Sequence, residues 1–172
     1  EKKGLTDIYF NFPKRKKYET DKKMNQLLNA LIKSNKRSLT SFSTSNGDFE
    51  KIKLLKTLAS CSNLKKLFII NGRQLKLYKY IESWNKSLPL EEIILFNCLT
   101  SKFDDFSNLN TLKHLVIKTD LENGLDFSYV SFPKTLKELN LSHNQIPRLS
   151  FRKFVDSLLT HLIMKNNKIK FI

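Results

Sequence analysis

The sequence predicts an α/β solenoid: a curved parallel β-sheet on the concave side, helices on the convex side of the N-terminal repeats, and irregular segments behind the C-terminal ones. Three observations predict it. First, the phrase L-x-x-L-x-L recurs along the 172 residues, with starts at Leu5, Leu39, Leu64, Leu90, Leu112, Leu136 and Leu159. The intervals are 34, 25, 26, 22, 24 and 23 residues, a period at which one supersecondary unit stacks on the next. Second, apolar residues recur at helical spacing between the first four phrases. Third, prolines interrupt the later return segments.

Each phrase reads as a strand by its alternation. Positions 4 and 6 are Ile8/Phe10, Phe42/Thr44, Leu67/Ile69, Ile93/Leu95, Leu115/Ile117, Leu139/Leu141 and Leu162/Met164, so that thirteen of fourteen are apolar. A strand sends successive side chains to opposite faces. Positions 1, 4 and 6 therefore point inward, and positions 3, 5 and 7 point outward. The first phrase is the weakest, with Pro13 at its ninth place. After it, Met24, Leu27, Leu28, Leu31 and Ile32 form a helical apolar stripe behind Thr20/Asp21, which suit an N-cap. Asp48 precedes Phe49, Ile52, Leu55 and Leu58 at similar spacing, and Leu77, Ile81, Trp84 and Leu88 give a third stripe. All three read as core. Leu88-Pro89 and Phe132-Pro133 disfavour helix, which places a change to irregular return segments near residue 100.

Leu136 to Ile146 reads LKELNLSHNQI and meets the pattern L-x-x-L-x-L-x-x-N/C-x-L in full. Leu159 to Ile169 meets it with Met164 in place of the third Leu. On these residues the chain resembles the leucine-rich repeat superfamily, over nearly its whole length. The resemblance implies parallel strands in a curved stack, with the ninth-place Asn or Cys bonding turn backbone inside. Asn144, Asn167 and Cys98 hold that place, and Asp120 departs from it. In the second and third phrases the Asn arrives early, at Asn46 and Asn71, which predicts a shifted turn there. The mixture of long and short repeats is similar to the arrays of fungal F-box-type leucine-rich proteins, although no F-box helix trio is present. Such a fold hosts many functions, so the site must carry the functional argument.

Residues 1–172 read as a single domain of about seven repeats. Neither the first phrase at Leu5 nor the last at Ile169–Ile172 has a polar cap, which leads us to expect a section of a longer array, or one whose ends a partner covers. No apolar run reaches the roughly 18 residues of a membrane span, and the start EKKGLTDIYF lacks the apolar stretch of a signal peptide. Cys61 and Cys98 are too few for a disulfide framework. These features predict an intracellular protein, cytoplasmic or nuclear, without membrane contact.

The net charge is +15, and residues 1–37 hold eleven Lys/Arg against four acidic residues. Lys14, Arg15, Lys16, Lys17, Lys22 and Lys23 are the candidate phosphate contacts of this flank. The plainer reading is a solvated basic face, since composition alone specifies no ligand.

The variable letters carry more. Position 5 runs Tyr9, Ser43, Phe68, Ile94, Val116, Asn140, Ile163, and position 7 runs Asn11, Ser45, Ile70, Phe96, Lys118, Ser142, Lys165. Phe68, Ile70, Ile94, Phe96 and Val116 thus form an apolar patch on a face open to solvent, rimmed by Ser, Asn and Lys. Such a patch marks an interaction site, the other reading being that flanking chain or a neighbouring loop covers it. At position 3, His114, Glu138 and His161 fall on successive strands. Two imidazoles and a carboxylate are zinc-ligand types, but a carboxylate between solvated histidines is the favoured reading, so no metal is expected.

No phosphate-cradling, nucleophile-elbow or zinc-protease motif occurs, and the glycines stand singly at 4, 47, 72 and 124. Cys61 lies at a helix end, where a structural thiol is expected over a reactive one. No enzyme activity and no cofactor are expected. The function read from the sequence is protein–protein recognition or scaffolding by the concave face, within a larger assembly such as a ubiquitin-ligase substrate receptor. The alternative is a basic structural subunit of a nucleic-acid-associated complex at a centromere or on chromatin. Lys66, Lys118 and Lys165 are the cations at positions 3 and 7, too few for a groove that tracks phosphates.

Overall fold

The computed structural model describes residues 4–12, 18–47, 54–72, 75, 77, 80, 81, 84, 88–98, 105–119, 127 and 130–170. Its seven strands are β1 (Asp7–Asn11), β2 (Ser41–Ser45), β3 (Lys66–Ile70), β4 (Glu92–Phe96), β5 (His114–Lys118), β6 (Glu138–Asn140) and β7 (His161–Ile163). They form one sheet in chain order, every pair parallel. The result is a parallel β-solenoid with few helices. Every strand begins at position 3 of its phrase, and cross-strand partners share phrase positions, as in Phe42, Leu67, Ile93 and Leu115. Twenty-two to 34 residues separate equivalent positions in neighbouring strands, yet the register never slips.

The inward positions build one core. Phe42, Leu67, Ile93, Leu115 and Leu139 are wholly buried, and position 1 is equally buried from Leu39 to Leu112. Burial weakens toward the two ends of the sheet, although Ile8 on β1 stays buried. Leu5 is 49% exposed, and Leu162 and Met164 are half-buried. Each edge strand has a neighbouring strand on one side alone, so one flank of its inward residues lacks a packing partner.

Helix α1 (Tyr18–Ser34) and the short α2 (Leu54–Leu58) add Leu28, Ile32, Leu54, Leu55 and Leu58 to this core. The structure corrects two expectations here. The helix starts at Tyr18, before the proposed Thr20/Asp21 cap, and Leu27 and Leu31 are exposed rather than core. Leu28 and Ile32, four residues apart, make the buried ridge, and the rest of the apolar arc is wider than the contact beneath it. Beyond the helix, Asn35 donates its Nδ2 to Leu31 O at 2.8 Å and accepts from Leu5 N at 2.8 Å. Ser38 Oγ donates to Leu5 O at 2.8 Å, so the helix exit clamps the entry to β1.

In the third stripe, Leu77, Ile81, Trp84 and Leu88 are buried, with helical bonds from Ile81 N to Leu77 O and from Leu88 N to Trp84 O. Asp48, Phe49 and Ile52 lie outside the described residues. After residue 100 the described residues contain no α-helix, and η1 (Phe151–Phe154) is a single 3₁₀ turn. Its Lys153 Nζ donates to the carbonyls of Phe127 and Val130, at 3.0 and 2.6 Å. Among the described residues no helix is long and apolar enough to cross a membrane.

Five of the seven turns after the strands share one feature, and Phe12 and Thr119 at the same position lack it. Position 8 is left-handed at Asn46, Asn71, Asn97, His143 and Asn166, with φ of 60, 52, 48, 61 and 56°. Asn tolerates this region better than most residues because its short amide bonds locally. Asn46 and Asn71 therefore do not shift the turn, contrary to the sequence expectation. They occupy the ordinary left-handed place, and the ninth place behind them is the buried Gly47 or Gly72. Where the ninth place has a side chain among the described residues, it reaches back one repeat. Asn144 Nδ2 donates to Ile117 O at 2.6 Å and Asn167 Nδ2 to Leu141 O at 2.8 Å, while Cys98 Sγ lies 3.3 Å from Ile69 O. Each acceptor is the position-6 carbonyl of the preceding phrase. Asp120 lies outside the described residues.

Candidate functional site

The sheet face opposite the core carries positions 3, 5 and 7. The register sets Phe68, Ile94 and Val116 in one row and Ile70, Phe96 and Lys118 in the next. The five apolar residues are each half-buried, because neighbouring columns about 4.8 Å apart shield one another's flanks. Ser43 and Ser45 stand on one side of this patch, and Asn140 and Ser142 on the other.

One edge of the face is bonded within itself. Lys66 Nζ lies 3.3 Å from Glu92 Oε2, and His114 Nδ1 lies 3.2 Å from Glu138 Oε2. His161 sits in register with Glu138 but its Nδ1 is 2.9 Å from Thr160 Oγ1 instead. The two imidazoles are therefore not gathered on the carboxylate, and among the described residues no three His, Cys, Asp or Glu are placed to hold a metal.

The opposite edge is basic. Lys118 Nζ lies 5.2 Å from the Phe96 ring centroid, within cation–π range. Among the described residues no carboxylate pairs with Lys118 or Lys165. A cation over an aromatic face keeps its charge while losing part of its water.

Beside this face, position 2 forms a charge ladder. Glu91 takes Lys113 Nζ at 2.8 Å and Lys65 Nζ at 3.2 Å. Those two ammonium hydrogen bonds, Lys113 first, hold its carboxyl below the usual glutamate value. A groove of about 310 Å³ runs here, lined by Glu91, Thr111, Lys113, Thr135, Lys137 and Leu158 among others. Several of its polar groups already serve the fold. Thr111 Oγ1 donates to Leu90 O, Thr135 Oγ1 donates to Leu112 O, and Glu91 is doubly paired.

Both thiols are buried. Burial pushes Cys61 up, opposed in part by its hydrogen bond with Ser60, and pushes Cys98 up to about 12. These are the opposite of an activated nucleophile. Of the basic flank, Lys14, Arg15, Lys16, Lys17 and the Lys22 side chain lie outside the described residues, and Lys23 is exposed on α1.

The sequence set the apolar columns side by side and Glu138 beside His114, but missed the pairing at position 2 and that of Lys66 with Glu92. The signal was present as sign alternation down aligned columns: Lys65, Glu91, Lys113 and Lys66, Glu92, His114, Glu138. It also missed that Lys118 settles on Phe96. Set against protein-family models and against curated proteins, the chain matches none.

Proposed function

We propose that the chain is a leucine-rich-repeat recognition module that binds a protein partner on the outer face of its sheet. One observation carries the reading: five apolar side chains on three adjacent strands share the face opposite the core, at positions the fold does not need to be apolar. Position 5 is Ser43 on β2 and Asn140 on β6 without loss of the sheet. The repeat assignment draws on the ninth-place side chains that bond the preceding position-6 carbonyl. The resemblance to F-box-type arrays extends the proposal to a receptor or scaffold part of a larger assembly. A nucleic-acid role for this face is disfavoured, because its position-3 and position-7 lysines are three, and Lys66 among them is already paired with Glu92.

The test is affinity capture from native lysate with and without nuclease, using the chain and its Phe68→Ser/Ile94→Ser/Phe96→Ser variant. The expected result is a nuclease-resistant protein partner that the folded variant loses by about tenfold or more. A partner kept by the folded variant would move recognition elsewhere, and nuclease-sensitive capture would favour the basic subunit.

A further inference from the structure

We infer that the partner segment is acidic as well as aliphatic, and that it is oriented by Lys118 and Lys165 at the position-7 edge of the face. This rests on the recognition reading above and names the chemistry of what is recognised.

The argument is one of uncompensated charge. On the position-3 edge, Lys66 with Glu92 and His114 with Glu138 satisfy each other across neighbouring strands. On the position-7 edge, Lys118 and Lys165 meet no carboxylate among the described residues. The two lie on β5 and just beyond β7, two strand spacings apart, or about 9.6 Å. Ser142, at position 7 of the repeat between them, is buried and uncharged. Lys118 is held over the Phe96 ring, at the margin of the apolar patch.

A cation partly stripped of water and touching an apolar surface is a stronger partner for a carboxylate than a free surface lysine. The ligand that fits presents aliphatic side chains to Phe68, Ile94 and Val116 and carboxylates to Lys118 and Lys165. A basic ligand meets repulsion from Lys118 and Lys165 at the position-7 edge. The asymmetry of the two edges also fixes direction: the acidic end of the segment faces position 7, not position 3.

The probe is a random peptide display library panned on the immobilised chain, on Lys118→Glu/Lys165→Glu, and on the Phe68→Ser/Ile94→Ser/Phe96→Ser variant, each checked for folding by circular dichroism. The native chain is expected to select peptides rich in Asp or Glu beside Leu, Ile or Val. The charge-reversed chain should bind those peptides about tenfold or more weakly and select Lys- or Arg-containing ones instead. Selection without acidic bias, or with a bias that charge reversal leaves in place, overturns the acidic assignment while sparing the recognition face. Peptides that bind the folded triple-Ser variant equally well overturn the recognition face itself, as does a failure to select any peptide. Tighter binding of a labelled oligo-dT, lost in Lys118→Glu/Lys165→Glu, overturns the proposal in favour of single-stranded nucleic acid.

Discussion

Thr44 is the one polar residue in the inward columns, wholly buried, and its hydroxyl meets no hydrogen-bond partner among the described residues. Its equivalents on the next strands are Ile69, Leu95 and Ile117. Thr44→Val keeps the shape and removes the orphan hydroxyl, so stability should rise by about 1 kcal/mol or more. Urea unfolding of the two proteins checks this, and an unchanged midpoint would mean the hydroxyl is satisfied. Cys98 makes the second residue-scale prediction. Its thiol is pushed from the ordinary 9.0 up to about 12, chiefly by burial. The folded state therefore keeps a proton that the unfolded state releases. Stability from this residue is full below about pH 9 and declines as pH rises from there towards 12. The Cys98→Ala protein should start less stable but lose stability less steeply across the first half of that window. Equal slopes in denaturant titrations would discount the thiol. The ninth place was legible in the sequence as a ladder position. Thr44 was visible as an exception, but nothing in one sequence says whether a buried hydroxyl finds a partner.

At the scale of the strand, the question is whether alternate residues have separate jobs. Leu67 and Ile93 are wholly buried, whereas Phe68, Ile94 and Phe96 beside them are half-buried on the other face. Leu67→Ser or Ile93→Ser leaves a cavity and buries a hydroxyl, at a cost of about 2–5 kcal/mol each. The triple change Phe68→Ser/Ile94→Ser/Phe96→Ser should lower the melting temperature less than either single core change. The opposite order would show that the outer face is a second core. Register was readable because every phrase repeats the same apolar period, and a one-residue slip would have exposed Leu67, Ile93 and Leu115 together. Helix limits were less readable. Leu27 and Leu31 fit the stripe as well as Leu28 and Ile32, and what separates them is the width of contact with the rest of the core. The shifted turn was misread because Asn serves two places, as the left-handed residue at position 8 and the backbone donor at position 9. Letters alone do not distinguish those roles.

For the whole molecule, strand contacts join sequence neighbours from β1 to β7, and none of these strands bridges distant repeats. Stability in such an array is local and passes from neighbour to neighbour. β6 and β7 are three residues long and β7 is flanked by half-buried Leu159, Leu162 and Met164, whereas β3 to β5 are five long over a sealed core. Amide hydrogen exchange should run from β7 inward, with β3 to β5 slowest. Leu162→Ala should speed exchange in β6 and β7 and leave β3 nearly unchanged; uniform acceleration would mean one cooperative unit. The constancy of register has a further consequence, one of pitch. Neighbouring strands consume between 22 and 34 residues of chain, but each advances the outer face by the same step of about 4.8 Å. The face is therefore graduated like a ruler, and β3 to β5 span about 9.6 Å of it. Two turns of an α-helix laid across the strands advance about 10.8 Å and stay in step with three columns to within about 1 Å. An extended chain presents same-side residues every 6.6–6.8 Å or so and is already about 2 Å out of step at the second column. The graduation of this face suits a helix crossing the strands.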